Sequence, residues 1–208
     1  MWNDLSCIWQ AAFREAWEAF CAGCIPIGAV ICDKDGNIIL REHNRNNEPQ
    51  TLNTRMAHAE ANALRRLDTR KYDTRSLTLY TTMEPCPMCM GTILMTNIKR
   101  VRYAAEDSYC GMVHLLQTEP YYSQKKVSCI PEGGEAEEFQ ITIQAYFELG
   151  YIKQGNKSDV FDKFMEHCPQ AAKAAERLYA EKWFDKAAES KTDVSEVYDH
   201  IMNVLRER

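Results

Sequence analysis

The residues best suited to chemistry in this chain are one histidine, one glutamate and two cysteines: His58, Glu60, Cys86 and Cys89. Cys86 and Cys89 stand three positions apart, a spacing that places both thiols on one face of a helix. A helix that begins there also stabilises thiolates through its free N–H groups and its positive dipole end. One histidine and two cysteines make three protein ligands and leave a fourth tetrahedral position for water, as in catalytic zinc sites. The sequence therefore predicts one Zn²⁺ per chain, held by His58, Cys86 and Cys89.

Glu60 adds a proton carrier to this predicted zinc site. Zinc lowers the pKa of a bound water towards roughly 7, which makes a nucleophile available at neutral pH. Two helical residues that are two positions apart do not face the same way, so Glu60 is not expected to bind the ion beside His58. Its long side chain can still reach the water, take its proton and deliver it to a substrate nitrogen.

These residues are compatible with two other interpretations. The Cys86–Cys89 pair by itself is compatible with a structural or a redox role, because redox pairs also stand at helix starts. The zinc could also stabilise a binding module that catalyses nothing. Glu60 argues against that module, since a structural site has no use for a carboxylate beside an open coordination position.

The elements that must position these residues alternate between helices and strands as far as about residue 105. Asp35-Gly36 is the turn pair of a predicted hairpin, and the long polar loop that follows it is typical of functional loops. The predicted helices span about 5–21, 56–67 and 85–95; the strands span 27–32, 37–40, 76–82 and 101–104; and 119–138 is turn-rich. This alternation predicts a layered α/β fold.

The chain after residue 154 has a different pattern. Apolar residues at helical spacing predict three amphipathic helices there, and the segment is net acidic. Because such helices must bury their apolar faces, we expect this tail to pack over or near the mouth of the zinc pocket. The sequence thus divides into a zinc-binding domain at 1–154 and a C-terminal helical extension at 155–208.

Composition limits the class of protein. With 45% hydrophobic and 26% charged residues, the 208-residue chain is not mostly disordered or collagen-like. We expect no membrane span and no secretory signal, because the sequence contains neither a long apolar run nor a basic start followed by one. Nine cysteines, an odd number, favour cytoplasmic thiols over a disulfide framework. The net charge of −5 argues against tight binding of nucleic acid through phosphates.

The motifs themselves resemble a known family. H-x-E followed by P-C-x-x-C is the zinc deaminase signature, and here it occurs as HAEANAL at 58–64 and LYTTMEPCPMCMG at 79–91. These segments resemble the cytidine/deoxycytidylate deaminase superfamily, and more narrowly its branch of bacterial tRNA adenosine deaminases and guanine deaminases. PIGAV at 26–30, Asn44-Arg45 and VRYAAED at 101–107 also resemble that branch, so the likeness covers about residues 5–112.

The resemblance implies a fold and a set of substrate contacts. The family fold is a three-layer α/β/α sandwich around a five-stranded mixed sheet, and members commonly form dimers, so a homodimer is expected. By position, His58, Cys86 and Cys89 bind zinc and Glu60 shuttles protons. The backbone of Gly28 and Ala29 and the side chain of Asn44 are expected near the base, and Ala59 is expected to supply a backbone N–H. Asp107 is a further candidate for the substrate side, because it follows a predicted strand end, where α/β proteins commonly place ligand contacts; the alternative is a solvated loop residue.

We therefore expect a zinc-dependent hydrolytic deaminase that converts an amino-substituted nucleobase, nucleoside or related heterocycle to the keto form and releases ammonia. The alternative is a tRNA-specific adenosine deaminase that converts the wobble adenosine to inosine. The net acidic tail and the absence of a recognisable basic closing helix disfavour tRNA as the substrate.

Overall fold

The computed structural model describes residues 1–207, which contain ten α-helices and five β-strands. The first half of the chain holds α1 (Cys7–Cys21), β1 (Gly28–Cys32), β2 (Ile38–His43), α2 (Ala59–Arg66), β3 (Thr78–Met83), α3 (Pro87–Met95) and β4 (Arg100–Ala105). The second half holds α4 (Leu115–Thr118), α5 (Pro120–Gln124), β5 (Ser128–Pro131), α6 (Gly134–Lys153), α7 (Asp159–His167), α8 (Pro169–Ala180), α9 (Trp183–Glu189) and α10 (Val194–Arg206).

The five strands form one mixed sheet in the order β2-β1-β3-β4-β5. β1 runs antiparallel to both β2 and β3, whereas β3, β4 and β5 are parallel to one another. Successive side chains of a strand point to opposite faces, and in β1 these faces divide cleanly. Val30 belongs to one apolar cluster, and Ala29 and Ile31 belong to the other.

These two apolar clusters define the layers. The first joins α1, α6 and the tail helices to one face of the sheet, and the second joins α2 and α3 to the opposite face. The prediction of a three-layer α/β/α sandwich with a five-stranded mixed sheet and a C-terminal helical extension is therefore confirmed.

The predicted elements of the first half are all present, with shifted ends. The second helix begins at Ala59 with His58 as its N-cap, whereas the sequence predicted a start at Met56. The third begins at Pro87 and not at Pro85, because proline is favoured at the first helical position and Cys86 takes the N-cap. These shifts place His58 and Cys86 at the two N-caps.

The interpretation of 119–138 as turn-rich was wrong, because that stretch contains α5, β5 and the first turns of α6. β5 is a short edge strand with one exposed face and a proline at its end, so its signal is weak. The sequence also missed α6 as a helix. Residues 139–146 are all buried, so α6 lacks the single apolar stripe by which helices are recognised.

Residues 155–207 of the tail contain four helices, not the three predicted. The second predicted helix ends at Ala180, because Lys182 adopts a left-handed conformation (φ 53°) that interrupts it before α9. The apolar faces of the tail pack against α1 and α6. They do not share the apolar cluster of α2 and α3.

Within residues 1–207, no helix combines the length and the apolar character needed to cross a membrane. All nine cysteines are free thiols, including Cys21 and Cys24 at the end of α1.

Candidate active site

Most of the candidate site residues from the sequence lie near one end of the strands of the sheet. The pairing register places the start of β1 at Gly28 opposite the end of β2 at His43, and aligns Met83 with Ala105 at the ends of β3 and β4. Ligand sites of α/β proteins commonly lie at such carboxyl ends. The N-termini of α2 and α3 bring His58 and Cys86 to one another here.

His58, Cys86 and Cys89 form a group whose spacing fits a metal ion. His58 Nδ1 lies 3.5 Å from Cys86 Sγ and 3.6 Å from Cys89 Sγ. A tetrahedral zinc with ordinary Zn–S and Zn–N bonds separates such a nitrogen and sulfur by about 3.6 Å. All three ligand atoms lie within 4.8 Å of one another. This chain can therefore hold Zn²⁺ at these three residues without rearrangement.

The electrostatics of the two thiols suit a thiolate pair. The hydrogen bond from Cys89 and the neighbouring His58 lower the pKa of Cys86 to about 4. The same pairing, together with burial, raises the pKa of Cys89 above its usual range. A bound cation favours the deprotonated form of both thiols.

Glu60 lies beside this group and is almost completely buried, with 3% of its surface exposed. Its Oε2 accepts a hydrogen bond of 3.4 Å from Cys89 Sγ. Burial raises the pKa of the Glu60 carboxyl above its ordinary value, because a low-dielectric site penalises the charged form. A carboxyl group with a raised pKa, placed next to a metal site, is suited to carry a proton to and fro.

Asn44 and Ala59 present two hydrogen-bond donors. Asn44 is 1% exposed, and its Oδ1 accepts the N–H of Asn46 at 2.9 Å. Among residues 1–207 its Nδ2 has no acceptor, so the amide is oriented with its NH₂ group free to donate. Ala59 is the first residue of α2, where backbone N–H groups have no partner within the helix.

Gly28 and Ala29 lie in closely packed parts of the fold. A Cβ on Gly28 would lie 2.1 Å from the carbonyl oxygen of Ala12, because α1 crosses β1 at this point. The Gly28 N–H donates to Thr82 Oγ1 at 3.2 Å. Ala29 is fully buried and packs into the apolar cluster of α2 and α3. Their predicted contact with a substrate stays a prediction.

Asp107 organises the loop after β4. Its Oδ1 accepts the N–H groups of Tyr109 and Cys110, and its Oδ2 accepts the Cys110 thiol at 3.1 Å. Burial and the Asp107 carboxylate raise the pKa of Cys110. The carboxylate is therefore engaged within its own loop, and a contact between Asp107 and a substrate stays a prediction.

Glu84 positions the loop after β4, a contact that the sequence interpretation missed. Its carboxylate accepts the N–H of Asp107 at 3.2 Å and that of Val113 at 2.9 Å, so it holds the loop of Asp107 next to Cys86. A Cβ on Gly111 would lie 2.4 Å from this carboxylate, so the loop closes tightly around it. The available signal was a lone glutamate immediately before the P-C-x-x-C motif.

A cavity of about 910 Å³ lies beside the tail, and its lining includes none of His58, Glu60, Cys86 and Cys89. It lies between α1, α6 and the α8–α9 corner, and it is lined by Phe20, Tyr146 and Tyr179 together with Asn46 and Asn47. The sequence interpretation placed the tail over or near the pocket mouth. Only the α8–α9 corner approaches the segment after Asn44, because the apolar faces of the tail are taken up by α1 and α6.

The chain is similar to known zinc deaminases. Residues 3–105 match the family described as the cytidine and deoxycytidylate deaminase zinc-binding region. The tRNA-specific adenosine deaminase of Bacillus subtilis is 36% identical over 127 residues, which cover 57% of this chain and 74% of the relative. The same-named protein of Rickettsia bellii is 31% identical over 145 residues, 67% of this chain and 97% of the relative.

Solved structures share the fold. A protein from a study of A-to-I editing by tRNA:A34 deaminases at the wobble position has a TM-score of 0.50 at 30% identity, covering 61% of this chain and 96% of that protein. A protein solved in complex with 2,6-diaminopurine has a TM-score of 0.53, covering 68% and 80% of the two chains. Its identity of 18% supports a common fold only.

Proposed function

Because the chain belongs to the cytidine and deoxycytidylate deaminase family, we propose that it hydrolyses the amino group of a small nitrogen heterocycle, a nucleobase or nucleoside, to the keto form. The enzyme is a zinc-dependent deaminase that acts on C–N bonds. The observation that carries the proposal is the fit of His58, Cys86 and Cys89 to one Zn²⁺ with the buried Glu60 in contact with Cys89.

The protein's own side chains account for the remaining steps of this reaction. Zinc, when bound, supplies a water of lowered pKa at neutral pH. Glu60 would accept one proton from the attacking water and give it to the ring nitrogen. It would then accept the second proton of that water, as the carbonyl forms, and give it to the amine, which leaves as ammonia. The raised pKa of Glu60 suits both directions of transfer. Asn44 and the N–H of Ala59 donate hydrogen bonds that orient the ring.

Charge supports a small heterocycle over tRNA. Residues 65–71 contain four basic side chains, and two of them are paired: Arg66 with Glu42, and Arg70 with Asp68. Neutralising several tRNA phosphates requires free lysine and arginine side chains. We therefore infer weak tRNA binding at physiological salt.

The second candidate is deamination of the wobble adenosine of tRNA. It is favoured by the relatives from Bacillus subtilis and Rickettsia bellii, whose names describe tRNA-specific adenosine deaminases. Ammonia release should be compared across free bases, nucleosides and tRNA anticodon stem-loops. We expect a small heterocycle to be the preferred substrate. Submicromolar binding of a stem-loop at physiological salt, with inosine formed at the wobble position, would establish the second candidate.

We further propose that the protein is a cytoplasmic homodimer. Free thiols throughout residues 1–207 support a reducing compartment. Leu52 and Met56, in the loop before α2, and Met95, at the end of α3, expose large apolar side chains that a second chain could cover. Light scattering should give twice the monomer mass, and Leu52→Asp should shift it towards the monomer if this surface is the interface.

A further inference from the structure

A buried ion-pair cluster lies directly beside Asn44 and is centred on His43, the last residue of β2. The His43 side chain is only 10% exposed. Its Nδ1 lies 3.0 Å from Glu15 Oε2 on α1, and its Nε2 lies 2.9 Å from Glu48 Oε1 in the loop after β2. The ring therefore joins an outer helix to the loop that follows Asn44.

These contacts require a charged ring. An ionised carboxylate can only accept hydrogen bonds, so both ring nitrogens of His43 must carry a hydrogen, and only the imidazolium does. Burial lowers the pKa of His43, but the hydrogen bonds to Glu15 and Glu48 outweigh burial and raise it above the ordinary value. Burial likewise opposes ionisation of Glu48, and the hydrogen bonds from His43 and Arg45 reverse that and lower its pKa.

Charged side chains face the His43 ring from each element that packs against it. Arg45 binds both carboxylate oxygens of Glu48 at 2.9 Å and also Glu42 at 3.1 Å. Glu18 reaches the ring at 4.0 Å without a hydrogen bond and is half exposed. The full set is Glu15 and Glu18 on α1, Glu42 on β2, Arg45 and Glu48 in the loop, and Arg66 on α2, paired with Glu42. The positive charge on His43 reduces the excess of acidic groups in this cluster.

The backbone of His43 is tied to the helix that carries Glu60. Asn62 Nδ2, on α2, donates to the carbonyl oxygen of His43 at 3.0 Å and to that of Ala57 at 3.2 Å. The N–H of Asn44 donates to the carbonyl oxygen of Ile27 at 2.9 Å. The segment of His43 and Asn44 is thus fixed by these backbone hydrogen bonds together with the two ring contacts of His43 to Glu15 and Glu48.

We propose that His43 is a positioning residue for substrate binding: its ring, clamped between Glu15 and Glu48, holds Asn44 in place relative to Glu60. This inference rests on the proposed function, because it takes Asn44 as a substrate contact. His43 itself touches no reacting atom. Loss of the clamp weakens substrate binding and leaves the zinc ligands and the proton carrier unchanged.

The test compares KM, kcat and zinc content for wild type, Glu48→Gln and Glu18→Gln, using whichever base or nucleoside the wild type deaminates fastest. Glu48→Gln keeps the size of the side chain and an acceptor but removes the charge that the ring requires. We expect a rise in KM of about 10-fold, the lower end of what a hydrogen bond between charged groups contributes. kcat and zinc content stay at the wild-type level. Glu18→Gln removes a charge at 4.0 Å from the ring, without removing a hydrogen bond, and leaves KM unchanged.

Two readouts separate the clamp from a merely structural role of Glu48. In ¹⁵N NMR at neutral pH, both ring nitrogens of His43 carry a hydrogen in the wild type. The wild-type KM rises as pH passes upward through the pKa of His43, and in Glu48→Gln that rise moves to lower pH. A neutral His43 ring at pH 7, or an unchanged KM in Glu48→Gln, would refute the positioning role alone. A wild type that releases no ammonia from any base or nucleoside would refute the proposed function, and the positioning role with it.

Discussion

Replacing Gly28 by alanine tests why a glycine stands at the start of β1. The added Cβ would lie 2.1 Å from the carbonyl oxygen of Ala12 and 2.7 Å from the nitrogen of Ala16, where ordinary contacts are 3.4–4 Å. Both obstructing atoms belong to the backbone of α1, so no side chain can rotate away. Because the interior is close-packed, α1 must retreat by about 1 Å.

The expected cost is about 3 kcal/mol, the upper end for overpacking a core. For a chain of this length, that lowers the melting temperature by about 6–12 °C. The retreat of α1 also carries Glu15 away from His43, so we expect KM to rise as well.

Thermal and urea denaturation of Gly28→Ala measure the stability change. Gly150→Ala is the matched control, since its Cβ meets nothing within 4 Å and α6 is helical there. Alanine at such a position is worth up to about 1 kcal/mol of added stability. A free energy of unfolding for Gly28→Ala within about 0.5 kcal/mol of the wild-type value would contradict the packing argument, because that is the range of a neutral surface substitution.

Three further predictions concern the site. Glu60→Gln should keep zinc and lose roughly 10²–10⁴-fold in kcat, because the amide cannot carry a proton; near wild-type turnover would exclude the mechanism. Elemental analysis should find one zinc per chain in the wild type and none in Cys86→Ala. Cys21→Ala, which lies outside the site, should retain the zinc. Zinc retained in Cys86→Ala and lost in Cys21→Ala would show that the metal binds elsewhere. The contacts with Glu15 and Glu48 raise the pKa of His43 in the folded protein. Their contribution to stability is therefore complete below the pKa of histidine in the unfolded chain, about 6.5, and is lost as pH rises through the folded pKa. The free energy of unfolding should therefore decline over that interval, and in His43→Gln this decline should be absent.

The chemical identity of the site could be predicted from local sequence. Ligand types and the three-residue spacing of Cys86 and Cys89 are properties of the chain itself, and a helix start imposes the geometry. The alternation of helices and strands likewise follows from local periodicity, which is why a layered α/β fold and most elements up to residue 105 were predicted. The three-layer sandwich was implied by the family resemblance.

Elements without a local signature could not be predicted. α6 is buried on several sides, so its sequence lacks one apolar stripe, and β5 forms only because β4 offers an edge to pair with. The tail was predicted to be helical, but which surface it covers depends on the apolar faces that α1 and α6 leave open.

Only the tertiary structure decided the arrangement around the predicted residues. From sequence alone, a lone histidine such as His43 is interpreted as a surface residue or a hydrogen-bonded core residue. No local sequence pattern indicates its contact with Glu15. Glu84 acquires its role because β4 returns beside β3 and brings the Asp107 loop to it. Local sequence determines which atoms can bind a metal or carry a proton, whereas contacts between residues far apart in the chain depend on how the layers pack.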